Sequence, residues 1–149
     1  MMSSDNDFFD DEFADASIDG LQDGFAAIML AASASDGHIA EEEMSCLTTL
    51  LCRMNLYAEL SPSQFGSMMD RLASELDRSG VDEFVAKAVV AIPPDLVETA
   101  YINAVDVVLA DRTVDEAEKH FVERLRNLFG IDIQRSNLIF QVMTAKNKG

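Results

Sequence analysis

The chain has 149 residues, of which 27 are acidic and 11 basic, and its formal net charge is −16. This length is sufficient for one domain that buries its apolar surface without disulfides, whereas the charge argues against nucleic-acid binding because phosphates would be repelled. The longest apolar run, Phe25 to Ala34, is about half as long as a membrane-spanning helix. We therefore expect a protein that binds no nucleic acid and does not insert into a membrane.

The N-terminal segment, residues 1–18, is rich in Asp and Ser and lacks the periodicity of a helix or a strand. Such a composition cannot bury enough apolar surface to fold, so we predict a disordered acidic tail. Phe8, Phe9 and Phe13 lie among the acidic residues. These aromatic side chains would either dock on a partner or pack loosely, and the sequence leaves both interpretations open.

Residues 19–149 are predicted to form one all-helical domain of about seven helices. The first helix, about Leu21 to Ala34, is apolar on nearly every side, which indicates a central helix surrounded by others. No segment shows the alternation of period two that is typical of a strand. The remaining helices are predicted at about 41–54, 62–77, 84–92, 96–110, 115–129 and 133–146.

Apolar spacing predicts which side of each helix is buried. Cys46 and Cys52 lie about 9 Å apart along the axis of the second helix, too far for a disulfide, and we predict that both are reduced core thiols of a cytosolic protein. Asp106 lies in the apolar fifth helix; it would either face water or, if buried, need a partner. The predicted inward positions of the third, sixth and seventh helices are Met68, Leu72, Leu76, Phe121, Leu125, Leu128, Leu138, Ile139 and Val142.

An acidic turn follows the first helix and returns after the fifth. With a constant shift along the sequence, Asp36 corresponds to Asp111, and Glu43 corresponds to Glu118. The correspondence continues to Asn55 and Gly130, two residue types that accept the left-handed conformation at a helix end. We therefore predict two pseudo-repeated helix-turn-helix halves.

The residues ASDGHIAEEE and LADRTVDEAE, together with PPDLVETAYINAVDVVLAD, resemble the tellurite-resistance TerB-like family over about Gly24 to Lys146. The resemblance implies a single-domain bundle of about seven helices, usually cytosolic, with no established enzyme activity. It also implies a divalent-cation site near the acidic turns and association with other tellurite-resistance components, including a membrane-bound one.

The family's acidic signature falls on Asp36, Glu43, Asp111 and Glu118, which are the candidate metal ligands. If the two turns lie side by side, these four carboxylates would suit calcium, magnesium or manganese, which prefer oxygen ligands. Arg112 is the main departure, because it stands where the first turn has a glycine and could neutralise the neighbouring carboxylate.

Helix capping offers an alternative interpretation of the same acids. A glutamate at the third helical position can accept the N-cap amide, and acids in a first turn are favoured by the helix dipole. Capping accounts for Glu43 and Glu118 without a metal, but it accounts less well for Asp36 and Asp111. The two interpretations are compatible.

His38, in the first acidic turn, would either add a ligand suited to zinc or remain a solvated loop residue. No phosphate-binding glycine loop, nucleophile elbow, HExxH or paired CxxC is present. We therefore expect a non-enzymatic cytosolic module that binds a divalent cation and a protein partner. The competing hypothesis is an acidic protein-interaction adaptor that needs no metal.

Overall fold

The computed structural model describes residues 18–34, 37, 39–110 and 113–148. Within these ranges the chain forms a single all-helical domain with no strand, as predicted. Short 3-10 turns at Asn55–Tyr57 and Pro94–Leu96 supplement the helices. The helices are α1 (Gly20–Ser33), α2 (Glu41–Cys52), α3 (Pro62–Ser79), α4 (Val81–Val90), α5 (Val97–Ala110), α6 (Glu116–Phe129) and α7 (Ile133–Lys146).

Helix α1 is the centre of the domain. Every residue from Phe25 to Ala32 is buried, and the helix contacts α2, α3, α4, α5 and α6. A helix that is apolar around its whole circumference needs neighbours on all sides, so the prediction of a central first helix is confirmed. None of the helices in the described part of the chain is long and apolar enough to cross a membrane.

The contact between α1 and α4 depends on a glycine. A Cβ atom at Gly24 would lie 2.7 Å from the Cβ of Ala91 and 3.0 Å from the carbonyl oxygen of Ala88. Real Cβ atoms do not approach neighbours so closely, and interiors are too densely packed to absorb the overlap. Gly24 therefore sets the distance between these two helices.

The N-terminal end of α1 is fixed by polar contacts to distant parts of the chain. The Tyr57 hydroxyl donates to the carbonyl oxygen of Gln22 at 2.7 Å, and the Gln22 side chain donates to the carbonyl oxygen of Leu56 at 2.8 Å. Ile18, which the prediction placed in the tail, is buried in the core. The remainder of the predicted disordered tail, residues 1–17, lies outside the described residues.

The two helix ends that the repeat pairs have different conformations. Gly130 ends α6 with φ 71° and ψ 32°, and the Ile131 amide donates back to the Arg126 carbonyl at 3.1 Å, as expected for a left-handed cap. By contrast, α2 ends at Cys52, and Asn55 has no positive φ but begins a 3-10 turn that buries Tyr57. The predicted cap at Asn55 is wrong, and the repeat itself stays a prediction.

The orientation of α7 also differs from the prediction. Leu138 and Val142, which were predicted to face inward, are exposed, whereas Ile139 is buried as predicted and Ser136 is buried as well. The hydroxyl groups of Ser136 and Tyr101 lie 2.7 Å apart, so a hydrogen bond turns the polar side of α7 toward α5. Leu128 of α6 is likewise exposed, whereas Phe121 and Leu125 of the same helix are buried as predicted, together with Val122.

Candidate functional site

Glu43 lies in the first turn of α2 and accepts a hydrogen bond from the chain just before the helix. The Ala40 amide donates to its Oε1 atom at 3.0 Å. Ala40 has no side-chain acceptor, so this N-terminus has only half of a capping box. The capping interpretation of Glu43 is therefore correct.

Glu118 closes a complete capping box at the start of α6. The Asp115 amide donates to Glu118 Oε1 at 2.9 Å, and the Glu118 amide donates to Asp115 Oδ1 at 2.8 Å. The amides of Asp115 and Glu118 at this helix start are thus satisfied, as the sequence predicted.

Glu43 and Glu118 line the same cavity, although they are 75 residues apart (118 − 43). We call this the acidic cavity; its volume is about 550 Å³. It therefore brings together glutamates from both predicted halves. Its lining residues are Ala32, Ser33, Glu42, Glu43, Cys46, Leu47, Leu50, Asp106, Val107, Ala110, Glu118, Lys146 and Asn147.

Asp106 contributes a further carboxylate to the acidic cavity. The Lys146 ammonium contacts its two oxygens at 3.0 and 3.1 Å, and the Asn147 amide group donates to Oδ1 at 2.8 Å. The Asp106 side chain is 28% exposed, and Lys146 supplies the partner that a partly buried carboxylate requires. Nothing in the local sequence near Asp106 indicated Lys146, because that residue is 40 positions away.

Two of the four candidate metal ligands, Asp36 and Asp111, lie outside the described residues, as do Arg112 and His38. Among the residues that the structure describes, no group of three or more His, Cys, Asp or Glu side chains is placed to hold a metal. Glu43 and Glu118 supply oxygen donors of the kind that calcium, magnesium and manganese prefer. A complete ligand set therefore depends on the two aspartates.

Comparison with protein families identifies the relationship. The family model described as "Tellurite resistance protein TerB" matches residues 22–141, which is most of the chain. This chain belongs to the TerB family. Comparisons with curated proteins and with solved structures found no match.

The cysteines of this TerB domain do not lie in its core. Cys46 and Cys52 are both exposed, because α2 buries only Leu47 and Leu51, which are four residues apart on one face. The prediction of core thiols is therefore wrong. Cys46 lines the acidic cavity, whereas Cys52 is not among its lining residues.

A second, smaller cavity of about 310 Å³ lies on the TerB domain beside His120 and Arg124 of α6. His120 Nε2 lies 3.1 Å from Asp82 Oδ1, and Arg124 donates to the Asp82 carbonyl at 3.3 Å, so these contacts join α6 to α4. Most of the nearby charges are paired within the domain.

Proposed function

We propose that this TerB domain is a non-enzymatic cytosolic module of tellurite resistance or a related stress response, which binds a divalent cation at its two acidic turns and also binds a protein partner. The observation that carries the proposal is that Glu43 and Glu118, the described members of the four-carboxylate set, line one cavity. The proposed site takes its other oxygen ligands from Asp36 and Asp111, and turn carbonyls and water supply the remainder.

Isothermal titration of the full chain with calcium, magnesium and manganese tests the cation site. We expect saturable heat with at least one ion and its loss in the double variant Asp36→Ala, Asp111→Ala. The matched control is Asp70→Ala with Asp77→Ala, which removes the same charge from exposed positions of α3. Absence of heat at millimolar metal, or equal binding by both double variants, would overturn the proposal.

The second candidate is an acidic adaptor that binds its protein partner without a metal. It is favoured by the capping hydrogen bonds, which explain why glutamates stand at positions 43 and 118 without requiring a metal. Partner retention with and without a chelator separates the two functions. Retention that is unchanged by the chelator supports the adaptor, whereas loss that added metal restores supports the cation module.

A further inference from the structure

The acidic cavity is lined by apolar side chains in addition to its carboxylates. Ala32 and Leu47, which are buried, and Leu50, which is 48% exposed, are among its lining residues. Glu42 and Glu43 are exposed on the first turn of α2 at the same opening. A bare metal ion gains nothing from contact with Leu50, so this combination of groups fits a larger ligand that has apolar and cationic parts.

One ammonium group is already bound at the cavity. Lys146 Nζ contacts Asp106 at 3.0 Å, so this carboxylate of the cavity is already paired within the chain. On the α2 side, the ion pairs formed within the described ranges include none to Glu42 or Glu43. These two carboxylates are therefore placed to accept cations from another molecule.

We propose that the acidic cavity is the docking site for a basic amphipathic helix of a partner protein. An apolar side chain of that helix would pack on Leu47 and Leu50, while Lys or Arg residues one turn away would pair with Glu42 and Glu43. Residues three or four apart on a helix lie about 5–6 Å apart on one face, and helices commonly bind by placing such a face in a groove. This inference rests on the partner-binding part of the proposed function and does not require the cation.

Direct binding to a defined probe tests the docking site. The probe is a labelled synthetic helix with Leu and Lys on one face, used with the full chain and a chelator; a scrambled peptide of the same composition is the control. We expect Glu42→Gln and Leu50→Ser each to weaken binding about fivefold. The matched controls are Glu41→Gln in the same helical turn and Val90→Ser on α4, which is 83% exposed, and neither should change the affinity.

The two exposed cysteines report where the peptide binds. Cys46 lines the cavity and Cys52 does not, so bound peptide should slow alkylation by N-ethylmaleimide at Cys46 only. Single-cysteine variants, Cys52→Ser and Cys46→Ser, allow each rate to be measured separately. Equal protection of both thiols, no protection of either, or equal effects of Glu42→Gln and Glu41→Gln would overturn the docking site.

The metal titration and the alkylation experiment test the cation site and the docking site independently of each other. Cys46 protection in a chain that gives no heat with metals supports the docking site and overturns the cation site. Heat with metals but no Cys46 protection overturns the docking site alone.

Discussion

Asp23, Glu75 and Ser136 are the polar residues buried in the described part of the domain. Each has a specific partner. Arg71 donates to both Asp23 oxygens at 3.0 Å, and Glu75 lies between Arg78 and Lys87. Because a buried carboxylate without a partner is strongly destabilising, these contacts restrict how α3 packs against α1 and α4.

Removing the guanidinium from the Asp23 pair should therefore be costly. We expect Arg71→Met, which keeps much of the apolar stem, to lower the free energy of unfolding by about 1–3 kcal/mol, because the buried Asp23 carboxyl loses both hydrogen bonds from the guanidinium. Urea denaturation measures the change. The control Arg53→Met alters an exposed arginine and should change stability by less than about 0.5 kcal/mol; similar losses in the two variants would contradict the role of the pair.

The exposed pair between Glu98 and Arg135 has a pH-dependent effect. Hydrogen bonds from the Arg135 guanidinium, at 2.7 and 2.8 Å, hold the pKa of Glu98 below its usual value of 4.5. A lowered carboxyl pKa contributes stability above the unfolded-state value, and that stability is lost as the pH falls through the folded-state value. The pair should therefore stabilise the domain at neutral pH and contribute nothing in strong acid.

We expect Arg135→Gln to raise the Glu98 pKa toward 4.5, as measured by NMR titration of its side-chain carboxyl carbon. The difference in unfolding free energy between the parent and this variant should disappear as the pH falls below 4.5. A difference that persists in acid would show that Arg135 acts through packing. The substitution Arg53→Gln, at an exposed arginine of α2's C-terminal end, controls for the loss of one positive charge.

At the acidic cavity, the local sequence predicted only those contacts that join residues close together in the chain. The capping contacts of Glu43 and Glu118 span three residues, and helix-start chemistry predicted them. The Lys146–Asp106 contact spans 40 residues, so it depends on how α7 packs on α5. Local spacing carries no information about such a contact.

At the scale of helices, Gly24 and Gly66 provide a matched pair. Both lie within helices, but a Cβ at Gly24 would overlap Ala91, whereas a Cβ at Gly66 meets nothing within 4 Å. We expect Gly24→Ala to destabilise the domain by about 1–3 kcal/mol, because overlap between α1 and α4 outweighs the better helix propensity of alanine. Gly66→Ala should stabilise it by about 0.5–1 kcal/mol.

Thermal and urea unfolding of the two glycine variants measure these effects. Opposite signs are expected from the same chemical change. If Gly24→Ala is as well tolerated as Gly66→Ala, the close approach of α1 to α4 is not a constraint on stability.

The position of a helix was easier to predict than the direction it faces. The predicted bounds of the seventh helix match α7 (Ile133–Lys146), because a C-cap at Gly130 and apolar periodicity are local signals. Its buried side was assigned to Leu138, Ile139 and Val142. Ile139 is buried as predicted, but the hydrogen bond between Ser136 and Tyr101 turns Leu138 and Val142 outward. An apolar pattern cannot anticipate a buried polar pair, since the partner lies on another helix.

For the whole molecule, the proposed cation site predicts a change in stability. A ligand that binds only the folded state at about 100 times its dissociation constant raises the free energy of unfolding by about 2.7 kcal/mol. We expect this increase with the ion that gives heat in the titration, and no increase for Asp36→Ala with Asp111→Ala. The Asp70→Ala, Asp77→Ala control should keep the full increase; the same increase in all three chains would point to general screening of the net charge of −16.

The overall architecture was the most predictable property, because it follows from one segment. The residues from Phe25 to Ala32 are all apolar. A helix that is apolar on every side must be surrounded by other helices. The positions of its neighbours could not be predicted in the same way, because Gly24 and the Arg71–Asp23 pair act only once distant helices meet.

The central position of α1 also determines when its surface becomes covered during synthesis. The neighbours α4 and α5 follow it in the chain, and α5 ends at Ala110, 77 residues after Ser33 (110 − 33). At the usual rate of translation the synthesis of these residues takes about 4 to 15 s. During this time the apolar surface of α1 is not yet covered by the helices that enclose it. Variants of α4 or α5 that fold slowly would therefore aggregate or be retained by chaperones during translation, even if the finished domain is as stable as the parent.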